Sequence, residues 1–305
     1  MVRQDPPGHR ERSLLPEPFW TADTASLSGQ RQAIRWYVGQ ITMLIIAAAV
    51  GIPTIHTKGL NLSPVFSVLA FIGAYYFWER LREEKPQARW YEGRAAAESV
   101  KTLAWKYVVR ARPFAGEGDS VPADSAYETQ MGEVFQAFRD SPVIPAGIRP
   151  AITDEMRTLR RAPLAVRRDL YLQERVRAQR TWYLSRAEQC ENETAKWQLL
   201  AVAAIIVGGG FALLQIFDVI PWHVLGLFTT MAASVTAWTQ LKQFGPLASA
   251  YRLAGTELDM IEVQLSRLDM ARPDAEETWS RLARDAEDAV SREHTIWRAR
   301  RDRRV

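Results

Sequence analysis

The chain has 305 residues, with 39 Lys and Arg against 35 Asp and Glu for a net charge of +4, and its one cysteine, Cys190, excludes a disulfide-stapled scaffold. The mean hydropathy of −0.20 would suit a soluble protein. That average hides segregation: the windows Trp36 to Ile55, Gly59 to Trp78, Trp197 to Phe217 and Val219 to Leu241 hold no Asp, Glu, Lys or Arg, so every charge lies in the remaining 221 residues, which excludes a single soluble globule.

Residues 1–30 are polar and carry Pro6, Pro7, Pro16 and Pro18, so they read as a polar N-terminal tail and not as a secretory signal. Each charge-free window has the roughly 20 residues that a helix rising about 1.5 Å per residue needs to cross about 30 Å of hydrocarbon. Buried helices of a soluble core would normally keep a charged outer stripe, and these have none. The windows pair into two hairpins. Arg31, Arg35, Arg80, Arg82, Lys85, Arg89, Arg186, Lys196, Lys242 and Arg252 flank the open ends, whereas the turns hold only Lys58. By the positive-inside bias both termini are cytoplasmic, in a multi-pass inner (plasma) membrane protein, with almost nothing on the far side. Trp36, Tyr37, Trp78, Trp197, Trp222 and Trp238 sit where an interfacial belt belongs.

Sliding the sequence by 160 residues aligns Trp78 with Trp238, Leu81 with Leu241, Arg82 with Lys242, Pro86 with Pro246, Ala88 with Ala248 and Tyr91 with Tyr251. A shift of 161 pairs Arg35 and Trp36 with Lys196 and Trp197. The chain reads as a tandem duplication of a hairpin whose second helix runs on into the cytosol. The first hairpin unit is 31–112, the linker 113–150 and the second unit 151–305. Within the linker, Tyr127, Met131, Val134, Phe135 and Phe138 recur at helical spacing, which predicts a short amphipathic helix that lies on the bilayer or docks on the second unit, the few basic residues near it favouring docking.

The first unit's cytosolic seam, Gly93, Ala97, Val100, Ala104 and Tyr107, is weak, and no long helix is expected before its first span; it must borrow packing. Residues 164–196 lack Pro and Gly and predict a long helix bearing Leu170, Val176, Tyr183, Leu184 and Ala187. After Pro246, Leu247, Tyr251, Ala254, Leu258, Ile261, Leu265 and Leu268 form a coiled-coil seam at alternating spacings of four and three. A last helix restarts after Pro273, with a seam of Trp279, Leu282, Ala286, Ala289 and Ile296. The expected architecture is all-α and integral to the membrane: four spans with an extended cytoplasmic helical bundle.

No catalytic constellation, metal site or cofactor motif is present. The spans hold no ionisable group at depth, since His56 and His223 lie near the turns, and His9, His56, His223 and His294 lack metal-ligand spacing. Gly208, Gly209 and Gly210, with Ala204 a turn earlier, read as a close helix-packing surface rather than a phosphate loop. Ser63, Ser67, Ala70 and Ala74 form a stripe of small or hydroxyl residues on the second span, and Thr230 and Ser234, extended by Thr229, Ala233, Thr236 and Gln240, form its counterpart on the fourth. These are the pore-lining candidates, with tight helix packing as the competing reading. Arg298, Arg300, Arg301, Arg303 and Arg304 suit anionic lipid headgroups; no nucleic-acid fold accompanies them.

The hairpin with cytosolic helices, the run Arg180-Thr-Trp-Tyr183 before the third span and the exit Trp238-x-x-Leu-Lys242 resemble the SLATT family of bacterial two-transmembrane effectors found beside nucleotide-messenger synthases and SLOG sensors. The resemblance covers about Gln30 to Arg112 and Ala151 to Arg301. It implies a pore-forming or membrane-perturbing role in bacterial conflict or antiphage defence, and no catalytic residue. The expected function is therefore a homo-oligomeric membrane pore gated through its cytoplasmic bundle, with the lipid bilayer and a possible cytoplasmic regulatory protein as partners. The alternative is a nonconducting scaffold that shows a coiled-coil surface to a soluble partner.

Overall fold

The structure, a computed structural model, describes residues 9–53, 56–57, 60–116, 121–141, 143–144 and 152–302. Helices dominate: α1 His9–Leu14, α2 Glu17–Val50, α3 Ser63–Glu84, α4 Pro86–Val108, α5 Val121–Ala137, α6 Asp154–Arg161, α7 Leu164–Tyr171, a π-helical segment Leu172–Arg177, α8 Ala178–Ile216, α9 Leu225–Lys242, α10 Phe244–Ser266 and α11 Ala275–Asp302. The turn of the first hairpin adds two-residue antiparallel strands, β1 His56–Thr57 and β2 Leu60–Asn61. The chain folds into two compact units, one formed by Met1–Gly29, Gln87–Ala187 and Ser249–Val305, the other by Gln30–Pro86 and Glu188–Ala248.

In the first of these units α4 is the central helix. Its predicted seam is entirely buried, from Gly93 through Ala97, Val100 and Ala104 to Tyr107, and Trp105, Val108 and Val109 are buried beside it. The packing it borrows comes partly from residues expected to form a tail. Residues 17–30 are helical, and Leu15, Phe19, Ala22 and Ser26 are buried. Their stripe escaped sequence reading because half of it is small or polar. Smallness is what the contact requires: a Cβ on Gly93 would stand 2.7 Å from the Ser26 amide nitrogen and 2.9 Å from the Ala22 carbonyl oxygen. The Ser26 hydroxyl donates to the Trp90 carbonyl at 3.0 Å.

The linker helix forms as α5 and docks both on α6 of the second half, as expected, and on the end of α4. Tyr127 lies 5.1 Å from the Tyr107 ring and 6.1 Å from Phe114, so α5 closes over the end of α4, while Asp124 accepts from Tyr107 Oη at 2.6 Å and from Arg157 of α6 at 2.6 Å. Residues 145–150 of the expected linker lie outside the described residues.

The long helix of the second half is unbroken from Leu164 to Ile216. Tyr251 of α10 packs its ring 5.5 Å from Trp182 and 5.6 Å from Tyr183. Of the predicted α10 seam, Leu247, Tyr251, Leu258 and Leu265 are buried and Ala254, Ile261 and Leu268 half-buried. Pro246 is the third residue of the helix, where a missing N–H costs nothing because first-turn amides have no helical partner. On α11, Trp279 and Ala286 are buried as expected and Leu282 and Ala289 half-buried; Ile296 lies among residues whose side chains are not described.

The second unit contains the four apolar windows. The second helix of each hairpin does not run on unbroken. α3 stops at Lys85 (φ 43°) and α9 at Gln243 (φ 51°), both left-handed, and a new helix starts within a residue of each. A left-handed residue interrupts the i to i−4 ladder at a cost of about 1–2 kcal/mol for an L side chain, and Pro86 then opens α4 without needing an N–H partner. Two helices, Glu17–Val50 and Leu164–Ile216, contain stretches long and apolar enough to cross a membrane, and only 11% of each stretch is buried.

Candidate functional site

The first hairpin is joined through small residues. Ser67 Oγ donates to the Ala47 carbonyl at 3.1 Å, Ser63 Oγ to the Pro53 carbonyl, and Gly73 meets Met43 of α2. Ala70 and Ala74, one turn apart on the same face, are buried. The Ser63, Ser67, Ala70 and Ala74 stripe is therefore the seam between α3 and α2 in the single chain. Gly39 fits against the Phe77 ring, where a Cβ would stand 2.7 Å from Cε1.

The second hairpin uses Gly208, whose Cβ would lie 2.7 Å from Phe228 Cβ, together with buried Ala204 and the stacked Phe211 and Phe228 rings at 5.7 Å. Gly209 and Gly210 face open space, so the close approach depends on one glycine of the three. On the other face of α9 Ser234 is buried, while Thr229 and Ala233 are exposed and Thr230 half-buried. Thr229, Thr230, Ala233, Ser234 and Ala237 line a cleft of about 780 Å³ whose opposite wall is Tyr37, Gln40, Ile41 and Leu44 of α2 and Phe71, Trp78 and Arg82 of α3. Thr229, Thr230 and Thr236 donate their hydroxyls to the carbonyls of Leu225, Gly226 and Ala232 at 2.8–3.0 Å. Their donors are thus satisfied within the helix while the oxygens keep acceptor capacity. Thr236 and Gln240 are exposed and stand outside the cleft.

At each hairpin's open end tryptophan meets a cation. Arg80 lies over Trp36 at 5.5 Å, Arg82 over Trp78 at 5.8 Å, Lys196 over Trp197 at 5.6 Å and Lys242 over Trp238 at 4.8 Å. Arg82 over Trp78 and Lys242 over Trp238 are the same contact at positions 160 apart, in the register of the duplication read from the sequence. Away from these ends α3 turns Val65, Phe66, Val68, Leu69 and Ile72 outward, and α8 turns out Leu199, Val202, Ile205 and Ile206.

A second site, missed in the sequence, is a set of buried charges in the other unit. Arg175, in the π-helical segment, donates through Nε and Nη2 to both oxygens of Glu287 at 3.0 and 2.9 Å, and Tyr171 Oη donates to the same carboxylate at 2.8 Å; all three are buried. Burial works against the Arg175 cation, but the Glu287 carboxylate overrides it and holds the guanidinium pKa above its ordinary value. Burial and Glu287 both push the Tyr171 hydroxyl up. Trp105 Nε1 donates to Glu11 at 2.9 Å, and Lys101 pairs with Glu11 at 2.8 Å. Arg160 donates to the carbonyls of Tyr107 and Phe114, and Arg167 to that of Val109, which also accepts from Trp279 Nε1 at 2.7 Å. The one sequence signal was Glu287, an acid inside the stripe of Trp279, Ala283, Ala286 and Val290.

Among the described residues no group of three His, Cys, Asp or Glu side chains is placed to hold a metal ion. The side chains of Arg298, Arg300 and Arg301, and all of Arg303 and Arg304, lie outside the described residues.

No curated protein and no solved structure matches the chain. Two family matches cover nearly all of it: residues 16–168 match the SMODS and SLOG-associating 2TM effector domain 3, and residues 171–297 match the SMODS and SLOG-associating 2TM effector domain 1. With the duplicated hairpins, this shows that the chain belongs to the SLATT family of membrane effectors, carrying two such domains in tandem.

Proposed function

We propose that the chain crosses a bacterial inner membrane four times with both termini in the cytoplasm, and that several copies together open a water path through it. The four-span reading is supported by two domains each described as 2TM, by the outward apolar faces of α3 and α8, and by the tryptophan and cation pairs at the hairpin ends, which suit the headgroup layer. The observation that carries the pore reading is the difference between the two small-residue stripes. That of α3 is taken up by packing within its hairpin, whereas on α9 Ser234 is buried but Thr229, Thr230 and Ala233 remain on an open cleft, with the threonine oxygens free to accept from water. Among the described residues the cleft is open and not an enclosed lumen, so conduction requires neighbouring copies to complete the wall. The path would then be lined by Thr229, Thr230, Ala233 and Ser234, with Gln40 opposite. Gating would pass along the unbroken helix from Leu164 to Ile216, which holds Arg175 at one end and an apolar span at the other. No enzymatic step is assigned to it.

The test is ion leakage from vesicles containing the full-length protein. Thr229→Trp and Thr230→Trp are expected to abolish or strongly reduce triggered leakage, while Val65→Trp, on an outward face of α3, leaves it unchanged. Vesicles that stay tight under every trigger, with the protein folded, would overturn conduction and favour the scaffold.

A further inference from the structure

The two hairpin exits carry the same tryptophan and cation pair, but they differ in what balances the charge. At the first, Arg82 has a side chain 62% exposed and is held by Glu79, three residues earlier on α3, with Nε 3.0 Å from the carboxylate. At the second, Lys242 lies over Trp238 and is only 8% exposed. The position 160 residues after Glu79 is Thr239, so the neutralising carboxylate of the first copy has no counterpart in the second. Among the described residues Lys242 makes no ion pair. The acid whose charge reaches it, Glu193 of α8, is engaged by Trp197 Nε1 at 2.9 Å and by Lys196 at 3.4 Å.

A second donor at the same place is also unused, for Trp238 Nε1 is buried without a hydrogen-bond partner. A buried ammonium without a counter-ion and a buried N–H without an acceptor both cost free energy, so each calls for an acceptor from outside the chain. The negative end of the α9 dipole favours a cation at Lys242, but α10 restarts at Phe244 and brings the positive end of its own dipole against it. We infer that Lys242 Nζ and Trp238 Nε1 hold a phosphate oxyanion, that of an anionic phospholipid in the cytoplasmic leaflet. The ammonium sits over the ring face, 4.8 Å from its centre, and the N–H lies at the ring's edge, so two oxygens of one phosphate can engage both. A headgroup of net negative charge neutralises Lys242, whereas a zwitterionic one brings its own ammonium. The first hairpin thus supplies its own acid and the second takes one from the membrane. This site rests on the four-span reading above, which sets the depth of Trp238, and not on conduction.

The test is the melting temperature of the full-length protein in detergent micelles with dioleoylphosphatidylglycerol, dioleoylphosphatidylcholine or sodium phosphate added. Phosphatidylglycerol is expected to raise it by about 2–4 °C, and phosphatidylcholine by less. An equal gain from sodium phosphate alone would overturn the lipid as the source and keep the oxyanion. Lys242→Gln is expected to lose the gain and Lys242→Arg to keep it, while Arg82→Gln, at the equivalent exit, also keeps it. Thr239→Glu gives the second exit the carboxylate of the first. It is expected to raise the melting temperature without lipid and to remove the response to lipid, which keeps the site testable if Lys242→Gln does not fold. A full gain in Lys242→Gln or Thr239→Glu, or its loss in Arg82→Gln, would overturn the proposal, since the lipid would then answer to basic charge in general. Protein that stays dispersed without detergent removes the four-span reading, and the sodium phosphate arm still decides whether Lys242 binds an oxyanion.

Discussion

Glu287 illustrates how much can rest on one side chain. It accepts three hydrogen bonds from Arg175 and Tyr171 in a site without solvent, so Glu287→Gln leaves a buried guanidinium without its counter-ion. Breaking one partner of such a pair costs about 3–5 kcal/mol, while replacing the set with apolar residues of similar volume is often neutral or stabilising. Thermal unfolding should therefore show a large loss for Glu287→Gln and near wild-type stability for Arg175→Met with Glu287→Leu and Tyr171→Phe. Asp23 behaves oppositely. Burial, and then the nearby Glu98, raise its carboxyl pKa above the ordinary 3.8, and its Oδ1 is buried without a hydrogen-bond partner. The folded protein thus holds this proton more tightly than the unfolded chain, and stability declines as pH rises from 3.8 through the raised value. Asp23→Asn should raise the melting temperature at pH 7, and the gain should vanish in acid below 3.8, where the wild-type carboxyl is protonated in both states. Neither site was legible in the sequence. A charge inside an apolar stripe marks an exception, but its partner comes from more than a hundred residues away.

Among the elements, α4 shows what spacing alone conveys. The seam from Gly93 to Tyr107 is readable in the sequence as weak, since it is made of small residues, yet in the structure it is the centre of its unit because small residues let α2 approach its backbone. Gly93→Ala should destabilise by about 1–3 kcal/mol, since the atoms in the way are main-chain atoms of Ala22 and Ser26 that cannot swing aside. Gly132→Ala on α5, where an added Cβ meets nothing within 4 Å, should stabilise by about 0.5–1 kcal/mol through helix propensity. Chemical denaturation of the two variants tests both signs. The two small-residue stripes were indistinguishable by composition, and their fates differ because α2 lies against α3, while among the described residues only Ser234 of the α9 stripe is buried.

At the scale of the molecule, the two family domains meet at residues 168 and 171, yet the compact unit is woven from both. Trp105 of α4 packs its ring 5.7 Å from Tyr171, Tyr171 packs 5.8 Å from Trp279, and Trp279 donates back to the Val109 carbonyl. Residues 171–305 expressed alone should fail to give a sharp melting transition, and co-expression with residues 1–170 should restore it. The sequence by itself determined the four apolar windows, the duplication, the family and the heptad seam of α10, because hydrophobic periodicity and the absence of charge are local properties that survive in one dimension. The tertiary structure alone decided that the N-terminal segment is a packed helix, that the α3 stripe is spent on α2 while only Ser234 of the α9 stripe is buried, and that Glu287 finds Arg175. Each of those outcomes depends on which surface arrives opposite from a distant part of the chain, and no spacing within a segment encodes its neighbour.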